Sequence, residues 1–66
     1  MKIMKNYKVE ATIFDQYLLC AVVACEKAEE ATVIAGFDDE DYSEQEVILI
    51  GDSIYSEPTL ICCESL

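Results

Sequence analysis

The chain has 66 residues, with 14 acidic side chains against four lysines, no histidine and a formal net charge of −10 at pH 7. This length allows one domain, residues 1–66, and a composition that is 53% hydrophobic is sufficient for a small core. So acidic a chain repels phosphate and anionic lipid, which strongly disfavours direct binding to nucleic acid or to a membrane surface.

The N-terminal segment carries Lys2, Lys5 and Lys8 but no apolar run of signal-peptide length behind them. No apolar run elsewhere approaches the roughly 20 residues that a membrane-spanning helix needs. We therefore expect a soluble, cytoplasmic protein, in a bacterium, a virus or a host cell.

The first predicted element is a strand over residues 7–14, where apolar and polar side chains alternate. Tyr7, Val9 and Ala11 fall on one face of this segment and the polar side chains on the other. This period of two is typical of a half-buried strand. The pair Asp15-Gln16 then predicts a short turn, although neither residue is glycine.

The next segment, residues 17–25, is almost continuously apolar and includes two adjacent valines. This favours a second, buried strand. The alternative is one long helix over residues 16–35, because the same apolar residues also fit helical spacing. Residues 27–35 are typical of a helix in either case, with acidic side chains in the first turns and Gly36 as a stop signal.

The C-terminal half predicts two further strands separated by turns. Residues 38–46 form a polar, acid-rich connection, and residues 46–50 are apolar enough for a third strand. A bend follows at residues 51–53, with Ile54 and Tyr55 as a candidate continuation of the strand. A turn signal at Pro58 then precedes a fourth strand over residues 59–63.

These elements predict an α+β fold, a single small domain with a four-stranded, mainly antiparallel sheet and one helix in the order ββαββ. The long-helix alternative would be βαββ. One short helix covers only one face of a sheet. Because strands two to four carry apolar residues on both faces, the second face is a candidate docking surface, and a homodimer is one way to cover it.

Four cysteines occur in a short chain, which raises the possibility of a disulfide framework. In a reducing compartment we expect free thiols instead, buried within the apolar runs that contain them. A cross-strand disulfide remains the alternative, between one of Cys20 or Cys25 and one of Cys62 or Cys63. The spacing of these residues does not match a structural zinc site.

The chain lacks the residues that catalysis and metal binding ordinarily use. Without histidine it lacks the side chain best suited to acid–base catalysis near neutral pH, and it has no glycine-rich phosphate loop. The acidic segment fails as an EF-hand, because Ser43 and Leu49 occupy the positions where glycine and glutamate are required. We therefore expect no enzyme activity, no cofactor and no metal.

The acidic connection is the candidate site for binding a partner protein. A partner's lysine and arginine side chains can bind these carboxylates as they bind the phosphates of nucleic acid. Glu44 and Glu46, on alternate positions of an extended chain, would lie about 6.6–6.8 Å apart, close to the spacing of phosphates along a strand. The aromatic Tyr42 lies among them as a candidate anchor. The candidate residues are Asp38, Asp39, Glu40, Asp41, Tyr42, Glu44, Glu46, Asp52 and Glu57.

In its size, its scarcity of basic residues and its acid-rich connection, the chain resembles small acidic anti-CRISPR proteins encoded by phages and plasmids. The resemblance implies a non-catalytic inhibitor that occupies a basic nucleic-acid-binding surface of a partner, such as a subunit of a CRISPR effector, by mimicking nucleic acid. The alternative is a structural or regulatory interaction module, such as an antitoxin or an assembly subunit, that binds through its apolar sheet face and uses its acids for solubility.

Overall fold

The computed structural model describes residues 3–65, with only the backbone for Ser65, so Lys2 lies outside the described residues. The strands form one antiparallel sheet in the order β3-β1-β2-β4. This confirms the α+β, ββαββ prediction and contradicts the long-helix alternative, because residues 17–25 are a strand. The elements are β1 (Lys5–Ile13), β2 (Tyr17–Cys25), α1 (Ala28–Ala35), β3 (Tyr42–Asp52) and β4 (Thr59–Ser65).

Helix α1 packs on one face of the sheet, and the core lies between them. Successive side chains of a strand point to opposite faces, so the alternation in β1 places its apolar side chains under the helix. We call this the covered face and the opposite one the open face. The core residues are Tyr7, Val9, Ala11, Ala21, Val23, Cys25, Ala31, Ala35 and Phe37.

The helix ends at Gly36, as predicted. Gly36 adopts the left-handed conformation with φ of 82°. Its backbone N–H donates to Val33 O, and the N–H of Phe37 donates to Thr32 O at 2.8 Å. This pair of bonds satisfies carbonyls at the end of the helix, and it turns Phe37 into the core, where only 2% of the residue is exposed. Within residues 3–65, no helix is long and apolar enough to cross a membrane.

The predicted turn between the first two strands is present, but it is centred one residue earlier, on Phe14 and Asp15, and its residues are unusual. Phe14 and Asp15 both have a positive φ, 55° and 54°, and Gln16 N–H donates to Ile13 O at 3.1 Å. Two consecutive left-handed residues are characteristic of a type I′ turn, which ordinarily uses asparagine and glycine. A bulky residue such as Phe14 pays a steric cost in this conformation.

The boundaries of the last two strands differ from the prediction. β3 begins at Tyr42 rather than at residue 46, because β1 extends far enough to pair with it: Ile13 lies opposite Tyr42, and Thr12 lies opposite Ser43. Pairing with a neighbouring strand outweighs the low strand propensity of these polar residues. β3 ends at Asp52, so Ile54 and Tyr55 do not continue it, and β4 extends to Ser65.

All four cysteines have free thiols, but the prediction that all are buried is wrong for two of them. Cys25 is buried in the core and Cys20 is half-buried, whereas Cys62 and Cys63 are exposed. The reason is their position on β4, an edge strand at the margin of the sheet. The register opposes Cys62 to Val22 and Cys63 to Ala21, so neither lies directly opposite another cysteine.

Candidate functional site

Four consecutive acidic residues, Asp38 to Asp41, follow the helix and lie against the β1–β2 turn. All four are exposed. Phe14 N–H donates to Asp41 O at 3.2 Å, and Tyr42 N–H donates to Asp39 O at 3.1 Å. These backbone bonds fix the acidic segment beside the turn, so its carboxylates are presented at one end of the molecule.

The turn contributes a further carboxylate that the sequence analysis did not include. Ser43 Oγ donates a 3.0 Å hydrogen bond to Asp15 Oδ1, which holds the turn beside the start of β3. We define the acidic end as the exposed carboxylates that gather here. They are Asp15, Asp38, Asp39, Glu40, Asp41 and Glu44.

Two predicted site residues lie elsewhere. Asp52 ends β3 and Glu57 precedes β4, which places both at the opposite end of the sheet from the acidic end. Asp52 Oδ1 is 3.2 Å from Lys5 Nζ, so its charge is partly balanced. The structure therefore does not bring Asp52 and Glu57 together with the other seven predicted residues.

The phosphate-like spacing predicted for Glu44 and Glu46 assumed an extended backbone, which the structure does not show at Glu44. Glu44 has a φ of 51°, in the left-handed region, and the register between β1 and β3 shifts between Glu10 and Thr12. This is a bulge, which breaks the regular two-residue repeat of an extended strand. Both carboxylates are exposed, but the backbone between them is not the extended chain that the spacing argument requires.

Tyr42 is half-buried, and the structure assigns its ring a packing role. Its ring centroid lies 5.1 Å from that of Phe37, with the planes inclined at 33°. Gln45 Nε2 donates to Phe37 O at 2.6 Å and closes the same corner. Two other aromatic residues are exposed at this end: Tyr17, which is 59% accessible, and Phe14, which is 61% accessible. No glycine or proline marks its turn, so the sequence carried no signal for it.

A second acidic feature crosses the open face. The register places Glu10 of β1 opposite Glu46 of β3 and opposite Cys20 of β2, and Cys20 lies opposite Glu64 of β4. We call Glu46, Glu10 and Glu64 the acidic row. Lys8 Nζ lies 3.9 Å from Glu10 Oε1 and offsets part of the repulsion between these carboxylates. Only the strand register reveals this row, because its members are distant in sequence.

The open face carries apolar side chains, as predicted, but they do not form a continuous patch. β1 is a central strand, and its side chains on this face are Lys8, Glu10 and Thr12. The apolar side chains of β2 (Leu18, Cys20 and Val22) therefore lie beside a polar row. A dry interface across the middle of this face would have to bury the Lys8–Glu10 pair, which is costly.

Three features bear on the chemistry that the described residues could support: pockets, groups of metal ligands and the buried thiol of Cys25. Within residues 3–65 there is no detectable pocket and no group of three or more potential metal ligands. The buried thiol of Cys25 donates to Lys27 O at 3.1 Å. Burial, reinforced by the nearby charge of Glu30, raises the pKa of this thiol above its ordinary value.

Comparisons with known proteins place no relative beside this chain: no family model, no curated protein and no solved structure matches it.

Proposed function

We propose that this protein is a non-catalytic inhibitor that binds a basic nucleic-acid-binding surface of another protein by acidic mimicry of nucleic acid, in the manner of an anti-CRISPR protein. The partner we propose is a nucleic-acid-binding protein or complex, such as a subunit of a CRISPR effector. The observation that supports this proposal is the clustering of exposed carboxylates at one end of the sheet, away from the described lysines.

Six exposed carboxylates gather at the acidic end, and none of the described lysines lies there. Lys5 pairs with the end of β2, opposite Cys25, and Lys27 lies just before α1, so both are at the other end of the sheet. Lys8 lies midway along β1 and faces Glu10. An end with one sign of charge attracts a basic surface and accelerates encounter with it.

The acidic row extends the same charge onto the open face. Glu46 and Glu10 lie on adjacent strands, whose spacing is about 4.8 Å, and Glu64 lies two strands from Glu10. Carboxylates arranged in this way can accept hydrogen bonds from several lysine or arginine side chains of one partner. Phe14, exposed beside the acidic end, supplies an aromatic surface that can anchor the contact.

The experiment is a binding titration against a CRISPR effector subunit purified free of nucleic acid. We expect binding that weakens steeply as salt is raised, because the Debye length falls from about 10 Å at 0.1 M to about 3 Å at 1 M. We also expect that nucleic acid and the protein compete for the effector. Simultaneous binding of both would contradict mimicry.

The alternative function is an interaction module that binds through apolar contacts. It is favoured by the many large apolar side chains left exposed on the two edge strands: Ile48, Leu49 and Ile50 on β3, and Leu60 and Ile61 on β4. The same titration separates the two functions. Apolar binding should hold or strengthen at high salt, and nucleic acid should not displace it.

A further inference from the structure

The two edges of the sheet carry unused backbone hydrogen-bonding groups. Among the described residues, no strand lies beyond β3 on one side or beyond β4 on the other. One row of N–H and C=O groups on each edge therefore faces outward. Another extended strand is the ligand whose chemistry fits such a row, because it satisfies donors and acceptors in register.

β4 is the edge with less charge. Residues 58–63 contain no charged side chain. Leu60 and Ile61 are 47% and 36% exposed, and Cys62 and Cys63 are exposed as well. An exposed apolar edge strand is a site for pairing with another chain, and on β4 the acid Glu64 lies only near its end.

β3 is less suited to pairing with a copy of itself. Its uncharged part, residues 47–51, is bounded by Glu46 and Asp52. Antiparallel pairing centred on Leu49 would set Glu46 of each copy opposite Asp52 of the other, and like charges directly opposite are destabilising. Two register irregularities in the β1–β3 ladder also twist this edge.

We propose that β4 pairs antiparallel with β4 of a second copy, about a two-fold axis at Cys62, to form a continuous eight-stranded sheet. Cys62 is the midpoint of Thr59–Ser65, so this register overlaps the whole strand. It sets Glu64 opposite Leu60 of the second copy, and no acid opposes an acid. The bulge at Ile61 shortens the regular ladder, so the dimer is a weak one that forms as concentration rises.

This arrangement brings Cys62 opposite its own equivalent. Directly opposed residues in an antiparallel pair have Cα atoms about 4.5–5.5 Å apart, which lies within the span of about 4.4–6.8 Å that a disulfide bridges. Cys63 instead lies opposite Ile61 of the second copy. The oxidant diamide can show which of the two cysteines faces its own equivalent, because it links thiols that lie close together. Two thiols lose two electrons and two protons to its N=N bond, which gives one disulfide and a hydrazine.

The first test is cross-linking of two matched variants, each of which keeps one cysteine of β4. Under diamide, Cys63→Ser, which retains Cys62, should form a covalent dimer at least several-fold faster than Cys62→Ser, which retains Cys63. Equal rates, or faster cross-linking through Cys63, would overturn the register. Both substitutions are at exposed positions, so folding should persist.

The second test is sedimentation velocity under reducing conditions, from low to high micromolar concentration. The parent should pass from monomer to dimer, Ile61→Lys should stay monomeric, and Ile48→Lys on the opposite edge should dimerise like the parent. Three results would overturn the proposal. The parent could remain monomeric at every concentration, Ile48→Lys rather than Ile61→Lys could abolish the dimer, or species larger than a dimer could form. The interface includes Glu64 of the acidic row but no residue of the acidic end, so its tests can fail or succeed independently of the test of the proposed function at the acidic end.

Discussion

Ser43 Oγ donates a 3.0 Å hydrogen bond to Asp15 Oδ1 and so joins the β1–β2 turn to the start of β3. Phe14 N–H and Asp41 O make a second, backbone link across the same gap at 3.2 Å. The geometry of the acidic end depends on these two contacts, since they hold carboxylates from separate parts of the chain together against their mutual repulsion.

The Ser43–Asp15 bond should be measurable as a coupling between the two side chains. In a double-mutant cycle of Ser43→Ala and Asp15→Ala, we expect a favourable coupling of about 0.5–1 kcal/mol, at the lower end for hydrogen bonds because the contact is exposed. Urea unfolding of the parent, both single variants and the double variant gives the value. Additive losses would mean that the bond contributes nothing to stability.

Replacing Phe14 with a residue that tolerates the left-handed conformation should stabilise the protein. An ordinary side chain in the left-handed region costs about 1–2 kcal/mol, and asparagine tolerates this region better. We expect Phe14→Asn to raise the free energy of unfolding by about 1 kcal/mol, which shifts the Tm of so small a domain by about 4–8 °C. Phe14→Ala is the control, since it removes the ring but keeps the steric conflict. Equal Tm values for the two variants would contradict the assignment of strain.

The two glycines make a matched pair for testing the helix end. A methyl group added at Gly36 or at Gly51 meets no atom within 4 Å, but only Gly36 has a positive φ. Gly36→Ala should therefore lower stability by about 1 kcal/mol through backbone conformation alone. Gly51→Ala should be neutral or slightly stabilising, because it restricts the unfolded chain. Thermal unfolding measures both effects. If Gly51→Ala lowered the stability as much as Gly36→Ala does, the explanation by backbone conformation would be contradicted.

Cys25 should make stability fall at alkaline pH. Burial raises the pKa of its thiol in the folded state, so the folded protein keeps this proton to higher pH than the unfolded chain does. The contribution is complete below the unfolded pKa of about 8.5 and is lost as pH rises through it towards the folded value.

Urea unfolding at about pH 7 and about pH 10 tests the Cys25 prediction. Between these two pH values, the free energy of unfolding should fall less in Cys25→Ala than in the parent. Cys63→Ala controls for the loss of an exposed thiol. An identical decline in the parent and in Cys25→Ala would contradict the assignment.

The parts of the fold that local patterns determine were predictable. The alternation of Tyr7, Val9 and Ala11 defined both the strand and its buried face, and Gly36 marked the end of the helix. The exposure of Cys62 and Cys63 was not predictable in this way. Their segment is apolar, but its exposure depends on the sheet order, which places β4 at an edge.

The candidate site was predictable only where it is contiguous in sequence. Asp38 to Asp41 form one run and are exposed as expected. Asp15 lies beside them because it accepts a hydrogen bond from Ser43, which is 28 residues later in the sequence. The acidic row depends on which residues of β1, β2, β3 and β4 lie opposite one another, and the order of the strands and their bulges cannot be read from local sequence patterns.

The central claim is that binding depends on where the charge lies rather than on how much there is. Two variants with equal charge test it. One carries Asp38→Asn, Glu40→Gln and Asp41→Asn at the acidic end; the other carries Glu26→Gln, Glu29→Gln and Glu57→Gln at the opposite end of the sheet. Thermal unfolding checks first that both variants keep the parent's Tm to within a few degrees.

The measurement is the Kd of each variant for the nucleic-acid-free CRISPR effector subunit, relative to the parent. Each exposed pair contributes about 0.2–1 kcal/mol, so three losses at the acidic end should weaken binding by roughly threefold to more than a hundredfold, mainly through a slower on-rate. The opposite-end variant should bind much like the parent. Equal weakening of both variants, or no weakening of either, would contradict a nucleic-acid-mimicking surface at the acidic end.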